Sequence, residues 1–241
     1  MAKKKFIVFD IDGTYFRSHL FWEVALSLAR KDSLHPDIDE EILRLYDDWK
    51  NRKSATAFED FDFGSITKIK NLLTFLDPKA YDNEMKSVLE QVKDQVYMYP
   101  KTLKEHLQSE GYMAIAISGS RMEEVTTFAQ HHGFDDWIGQ TFHRDAENKN
   151  YTGEVHATYK DKDILLKTFV EKHNLTYKGS YGVGDTSGDI GMLSVVDNPI
   201  AFNPNHSLLK HARQQGWKIV IERKSISYTL EQGSDGTYQL V

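Results

Sequence analysis

No cysteine occurs in the 241 residues. That removes disulfide scaffolds, zinc–thiolate centres and thiol nucleophiles from consideration. Long apolar runs are missing too: no window approaches the roughly 18 uninterrupted apolar residues of a membrane-crossing helix. The opening Met1-Ala-Lys-Lys-Lys5 and Phe6-Ile-Val-Phe9 imitate a secretory signal, but the run stops after four residues at Asp10. Such a signal needs an apolar core of about 7–15 residues. A soluble, cytoplasmic protein with no membrane partner is therefore expected. Nor is there a basic excess, with 30 Lys plus Arg against 36 Asp plus Glu and a net charge of −6. Proteins that bind nucleic acid by neutralising phosphates carry the opposite balance, so no nucleic-acid partner is expected. Internal repeats and low-complexity segments are absent.

What is present suits a folded core, with 40% apolar and 27% charged residues. Phe6–Phe9 is a continuous β-prone run, the pattern of a strand buried on both faces. Helical spacing then recurs from Phe21 to Ala29, Ile38 to Lys50, Phe63 to Leu76 and Tyr81 to Tyr97. After Pro100 the rhythm changes to alternating helices and strands. Helices are expected at 101–110, 121–132, 163–173, 190–196 and 207–214, and strands at 112–117, 180–183, 199–202 and 218–221. A hairpin is expected with arms at 140–143 and 151–158, and another at 225–241 around Gly233-Ser-Asp-Gly236. The alternation predicts an α/β fold, a Rossmann-like parallel-sheet core carrying an inserted all-helical cap. Residues 1–15 and 98–241 form the core in this reading, and 16–97 the cap.

Ligands of an open parallel sheet bind beyond the carboxyl ends of its strands. Here one strand ends in Asp10-Ile-Asp12-Gly13-Thr14, a second in Ser118-Gly119-Ser120 and a third in Gly184-Asp185-Thr186-Ser187-Gly188-Asp189. Four carboxylates at one edge repel one another unless a cation or shared protons intervene. Mg2+, a hard ion that takes carboxylate oxygens and leaves room for phosphate, is the economical resolution.

These residues resemble the four motifs of the haloacid dehalogenase superfamily: Asp10-x-Asp12-Gly13-Thr14, Ser118, Lys162 and Gly184-Asp185-x-x-x-Asp189. Lys162 precedes Gly184 by 21 intervening residues (163 to 183), a spacing typical of the phosphoserine-phosphatase-like branch. The helical insert between the first two motifs resembles that branch's cap, and Asp197–Pro204 followed by a helix and Gly216-Trp217 resembles its ending. The likeness covers roughly residues 5 to 221. It implies a Mg2+-dependent phosphatase that hydrolyses a small phosphorylated metabolite through an aspartyl-phosphate. Asp10 is then the nucleophile, and Asp12 the acid that protonates the leaving alkoxide and afterwards the base that activates water. Thr14 fixes the turn, Ser118 and the Gly119 N–H hold phosphate oxygens, and Lys162 neutralises phosphate and nucleophile. The metal falls to Asp10, the Asp12 backbone carbonyl and Asp185, with Asp189 either a ligand or a support just behind them.

Two rivals share the acidic site. A phosphotransferase would hand the phosphoryl group to an alcohol, and a phospho-receiver would use Asp10 as a switch without turnover. Receivers carry no cap, and Asp12 placed as acid and base favours turnover. Amino-acid phosphatases of the family carry a carboxylate nine residues after the nucleophile, where this chain has His19. Phosphoserine is thereby disfavoured, and Arg17 or His19 reads either as a contact for an anionic substrate group or as a surface residue. Arg121 reads as a surface residue at a helix start. Phe21, Trp22, Tyr46 and Trp49 read as cap core. His131 and His132 are adjacent on a helix, and such neighbours point apart, which argues against a shared metal.

Overall fold

Phe6–Phe9 forms β1, with all four side chains buried. In this computed structural model, residues 3–31, 36–54, 57, 60, 61, 76–158 and 161–241 are described. The helix expected over 63–76 lies outside them except for Leu76. Two units divide the chain: Met1–His19, Lys93–Gln140 and Ala157–Val241 in one, Leu20–Val92 and Thr141–His156 in the other.

The first unit is built on a sheet in which β1 is an interior strand. β2 (Met113–Arg121) runs parallel on one side, with Phe6 opposite Met113 and Phe9 opposite Ala116. β5 (Tyr181–Gly184) runs parallel on the other, with Ile7 opposite Tyr181. β3 (Asp136–Arg144) lies outside β2, and β6 (Asn198–Phe202) and β7 (Lys218–Arg223) lie outside β5, all parallel. The C-terminal hairpin, β8 (Ile226–Gln232) and β9 (Tyr238–Leu240), continues the sheet antiparallel from β7.

Alternation along β1 sends side chains to two faces. Phe6 and Val8 join Met113, Ile115 and Ile117 and pack on Leu166 and Phe169 of α6 (Lys162–Lys172). Phe9 meets Tyr15 and Phe134 edge-on, at 5.6 and 5.9 Å between ring centroids. Full burial of each such side chain contributes about 1.5–3 kcal/mol, so β1 is clamped from both faces. α4 (Met98–Ser109), α5 (Met122–His131), α7 (Ile190–Val195) and α8 (His206–Gln215) complete the unit.

The structure departs from the periodicity at three places. The helix expected over 81–97 is α3 (Pro78–Val92) and stops five residues early, because Val96 forms a backbone bridge with Phe16 and the Arg17 N–H donates to the Gln95 carbonyl. β2 continues through Ser118-Gly119-Ser120 to Arg121, with a register shift against β3 between Ile117 and Arg121. β3 starts four residues before the expected arm. Gly139 permits that approach: a Cβ there would lie 2.8 Å from the Ser120 carbonyl oxygen and 2.9 Å from the Met122 Cα.

The second unit contains α1 (Leu20–Ala29), α2 (Pro36–Lys50), α3, the end of β3 and β4 (Tyr151–His156). Trp22 meets the Phe61 ring at 4.7 Å and Trp49 stacks on it at 5.3 Å, while Tyr46 sits edge-on at 5.7 Å. The hairpin arms group with these helices, so segment 98–241 is interrupted at 141–156. The reason is a tertiary bond: the Arg144 guanidinium donates to both carboxylate oxygens of Asp82 on α3, at 2.6 and 2.8 Å. Phe142 adds an edge contact with Phe21. Among the described residues, no helix is long and apolar enough to cross a membrane.

Candidate active site

Local backbone bonds aim the first acidic pair. The Asp10 N–H donates to the Val183 carbonyl at 2.9 Å, which extends the β1–β5 pairing by one residue. The chain then turns: Tyr15 and Phe16 N–H groups donate back to the Ile11 carbonyl, and the Gly13 N–H donates to the Phe16 carbonyl. Gly13 has φ +80°, and a Cβ there would fall 2.3 Å from Asp185 Oδ2. Only glycine accepts that conformation and that proximity cheaply.

Asp10 is one corner of a buried charge cluster. Lys162, the first residue of α6, donates from Nζ to Asp10 Oδ1 at 2.5 Å and to Asp189 Oδ1 at 2.6 Å. The other Asp189 oxygen accepts from the N–H groups of Asp185 and Thr186 at 3.1 and 3.0 Å, and from the Thr186 hydroxyl at 3.2 Å. Thr14 donates its hydroxyl to Asp185 Oδ1 at 3.0 Å. One oxygen each from Asp10, Asp185 and Asp189 lies within 4.8 Å of the other two.

Asp12 has different company. Its Oδ2 accepts from Ser118 Oγ at 2.6 Å and Ser120 Oγ at 2.9 Å, and its Oδ1 lies 3.5 Å from His19 Nδ1. The Ser120 N–H donates to Ser118 Oγ, and the buried Thr158 hydroxyl donates to the Ser118 carbonyl at 2.5 Å. The irregular end of β2 therefore presents two hydroxyls to one carboxylate. The two aspartates of the first motif, two residues apart, occupy distinct electrostatic settings.

Burial, with Asp189 and Asp12 adding negative charge and Lys162 opposing, pushes Asp10 up to about 7. Burial and the charges of Asp10 and Asp189 raise Asp185 well above the usual carboxylate range. Burial disfavours the Lys162 ammonium, but Asp10 and Asp189 outweigh it and hold its pKa above the ordinary lysine value. Three carboxylates facing one ammonium leave two negative charges when all are ionised. That residual charge and an all-oxygen donor set fit a hard divalent cation such as Mg2+.

The structure thus brings together Asp10, Thr14, Lys162, Asp185 and Asp189, and joins Asp12 to Ser118. Gly119 lies between the two serines in the irregular stretch of β2. Two groups escaped the sequence. Ser120 was legible in principle, since residues two apart on a strand share a side. Thr158 carried no signal, because its contact spans 40 residues. Of the flanking candidates, His19 reaches Asp12 and Ser120, whereas the exposed Arg17 lies over the Tyr97 ring at 5.6 Å. Arg121 is 1% exposed rather than on the surface. Its pairing with Gln140 carries β2 one residue past the serines, and its N–H donates to Glu124 at the start of α5.

Comparison with known proteins gives a family and a fold. The family described as haloacid dehalogenase-like hydrolase matches residues 7–194. A histidinol-phosphatase from Neisseria meningitidis serogroup C (strain 8013) is 20% identical over 227 residues, covering 90% of this chain and 98% of that protein. A Bordetella pertussis Tohama I protein of unknown function has a similar structure, with TM-score 0.72 and 17% identity over 92% of this chain and 99% of that one. A phospho-aspartyl intermediate analogue of phosphoserine phosphatase gives TM-score 0.64 and 22% identity over 93% and 96%.

Proposed function

This chain belongs to the haloacid dehalogenase-like hydrolases, and on that footing we propose that it hydrolyses a small phosphomonoester through a phosphoryl group carried on Asp10. The observation that carries the proposal is the split between the two neighbouring aspartates. Asp10 sits against a buried ammonium. Asp12 is held by two hydroxyls and stands beside an imidazole.

An Asp10 carboxylate oxygen attacks phosphorus, and the bond to the ester oxygen breaks. Asp12 protonates the departing alkoxide. Asp12, now a carboxylate, takes a proton from water as the water attacks the aspartyl-phosphate, releasing phosphate and restoring Asp10. Lys162 balances charge on Asp10 throughout, and Asp189 keeps the ammonium in place from the other side. Ser120 orients Asp12, and the Ser118 hydroxyl, which donates its one proton to Asp12 here, would turn it to a phosphate oxygen beside the Gly119 N–H when substrate binds. Asp10, Asp185 and the Asp12 backbone carbonyl are assigned to Mg2+, with Asp189 behind them as holder of Lys162 and of the 185–186 backbone. Bound there, Mg2+ would neutralise the paired carboxylates and the charge on phosphate. Fixed charge of this kind supplies most of the acceleration in phosphoryl transfer.

The substrates of the named relatives define the first probes. L-Histidinol phosphate and O-phosphoserine, within a wider panel of phosphorylated metabolites, are assayed with Mg2+, with chelator, and with Asp10→Asn. Turnover of one panel member is expected, lost in chelator and reduced roughly 10^4-fold or more by the substitution. Activity that survives either removes the proposal. Transfer to an added alcohol in preference to water makes the enzyme a phosphotransferase instead.

A further inference from the structure

We infer that Asp94, His131 and His132 form a second metal site, suited to a divalent transition cation such as Zn2+. One oxygen of Asp94 and one ring nitrogen from each histidine lie within 4.8 Å of one another. All three residues belong to the first unit, and none takes part in the cluster around Asp10.

Adjacent residues inside a helix point apart, but these two straddle a helix end. His131 is the last residue of α5, and His132 follows with φ −90° and ψ 4°, no longer helical. The two rings stand 4.8 Å apart between centroids, at 83°. His132 is held by aromatic contacts with Phe128 at 4.4 Å and Tyr15 at 5.4 Å.

A backbone hydrogen bond fixes the tautomer of His132. His132 Nε2 lies 2.8 Å from the Lys93 carbonyl oxygen. A carbonyl only accepts, so Nε2 carries the proton and Nδ1 keeps its lone pair. An imidazole fixed this way by an outer hydrogen bond is the usual form of a metal-ligating histidine. His131 Nε2 lies 2.7 Å from Asp94 Oδ1. The site also caps the carboxyl end of α5, where the helix dipole favours positive charge.

Two imidazoles and one carboxylate select zinc-like cations, whereas Mg2+ prefers oxygen donors throughout. Ligand atoms around tetrahedral zinc stand roughly 3.3–3.5 Å apart, so closure needs a shift of about 1 Å. The Asp94 side chain is 77% exposed and can make that move, with His132 as the fixed anchor. Asp94 follows α3 by two residues, just before the Val96–Phe16 bridge. The metal would thus fasten the returning segment 93–96 to the end of α5.

The test uses the full-length protein with Mg2+ in excess to saturate the carboxylate cluster. Calorimetric titration with Zn2+ should give one site per chain, at least 10-fold weaker in His131→Gln and in Asp94→Asn, and unchanged in Asp185→Asn. Both weakening substitutions are at partly or fully exposed side chains, and their melting curves without zinc verify folding. Co2+ should give visible absorption bands in the wild type that His131→Gln lacks. The inference is overturned if zinc binds the wild type and the two substituted chains alike, if no zinc binds, or if only Asp185→Asn abolishes binding.

Discussion

At the scale of single residues, the site depends on what is missing at Gly13 as much as on its carboxylates. Asp185 can reach its place because position 13 has no Cβ, and the turn can form because glycine tolerates φ +80°. Alanine there is strained by about 1–2 kcal/mol, and its methyl group displaces Asp185 Oδ2. The two effects read out separately. Gly13→Ala should lower the melting temperature by a few degrees and reduce kcat/KM by about 100-fold, the cost of a misplacement near 1 Å. The Mg2+ concentration needed for half-maximal rate should rise with it. A variant whose Mg2+ requirement stays at the wild-type level would show that Asp185 does not depend on this close approach.

At the scale of elements, legibility follows the range of the interactions that fix each one. Phe6–Phe9 reads as a buried strand because burial on both faces demands a continuous apolar run, and Asp12-Gly13-Thr14 reads as a turn because turn chemistry is local. The first half of β3 has no such mark: Asp136 and Gly139 interrupt its apolar residues, and it forms because parallel pairing with β2 is available. The grouping of 141–156 with the helices rests on Arg144 and Asp82, 62 residues apart. The same distinction divides the site. Asp10, Asp12, Asp185 and Asp189 announce themselves at strand ends, while Ser120 and Thr158 depend on the irregular end of β2 and a long-range bond. α4 gives a further case. Tyr97 at its start has no side-chain cap, and the free N–H groups of Met98 and Tyr99 donate instead to Glu222 on β7, at 3.1 and 2.7 Å. Glu222→Ala should cost about 1 kcal/mol, as loss of a cap does, a drop of about 2–4 °C in a chain of this size, with kcat unchanged. Thermal melting checks the first and steady-state kinetics the second; an unaltered melting temperature would show the cap to be dispensable.

For the whole molecule, the buried acidic cluster links folding to protons and, on the proposed assignment, to a divalent metal. The folded pKa of Asp10, about 7, lies above its ordinary 3.8, and Asp185 shifts the same way. Between those values the folded chain binds more protons than the unfolded chain, so unfolding free energy falls as pH rises. This contribution is complete below about pH 4 and is lost as pH climbs through about 7. Lys162 remains charged across that window and contributes equally at both ends. Mg2+ held at this cluster, as proposed, would require the carboxylates deprotonated and would compete with the protons that stabilise the metal-free protein. For one proton displaced from a group of pKa about 7, Mg2+ binds about 100-fold more weakly at pH 5 than at pH 8. The rise in melting temperature on adding Mg2+, measured against chelator at each pH, should therefore be small at pH 5 and large at pH 8. Histidines elsewhere titrate in both samples and cancel in the difference. An increment equal at the two pH values, or larger at pH 5, would mean that Mg2+ does not displace protons from Asp10 and its neighbours, and the carboxylate cluster would lose its assignment as the metal site.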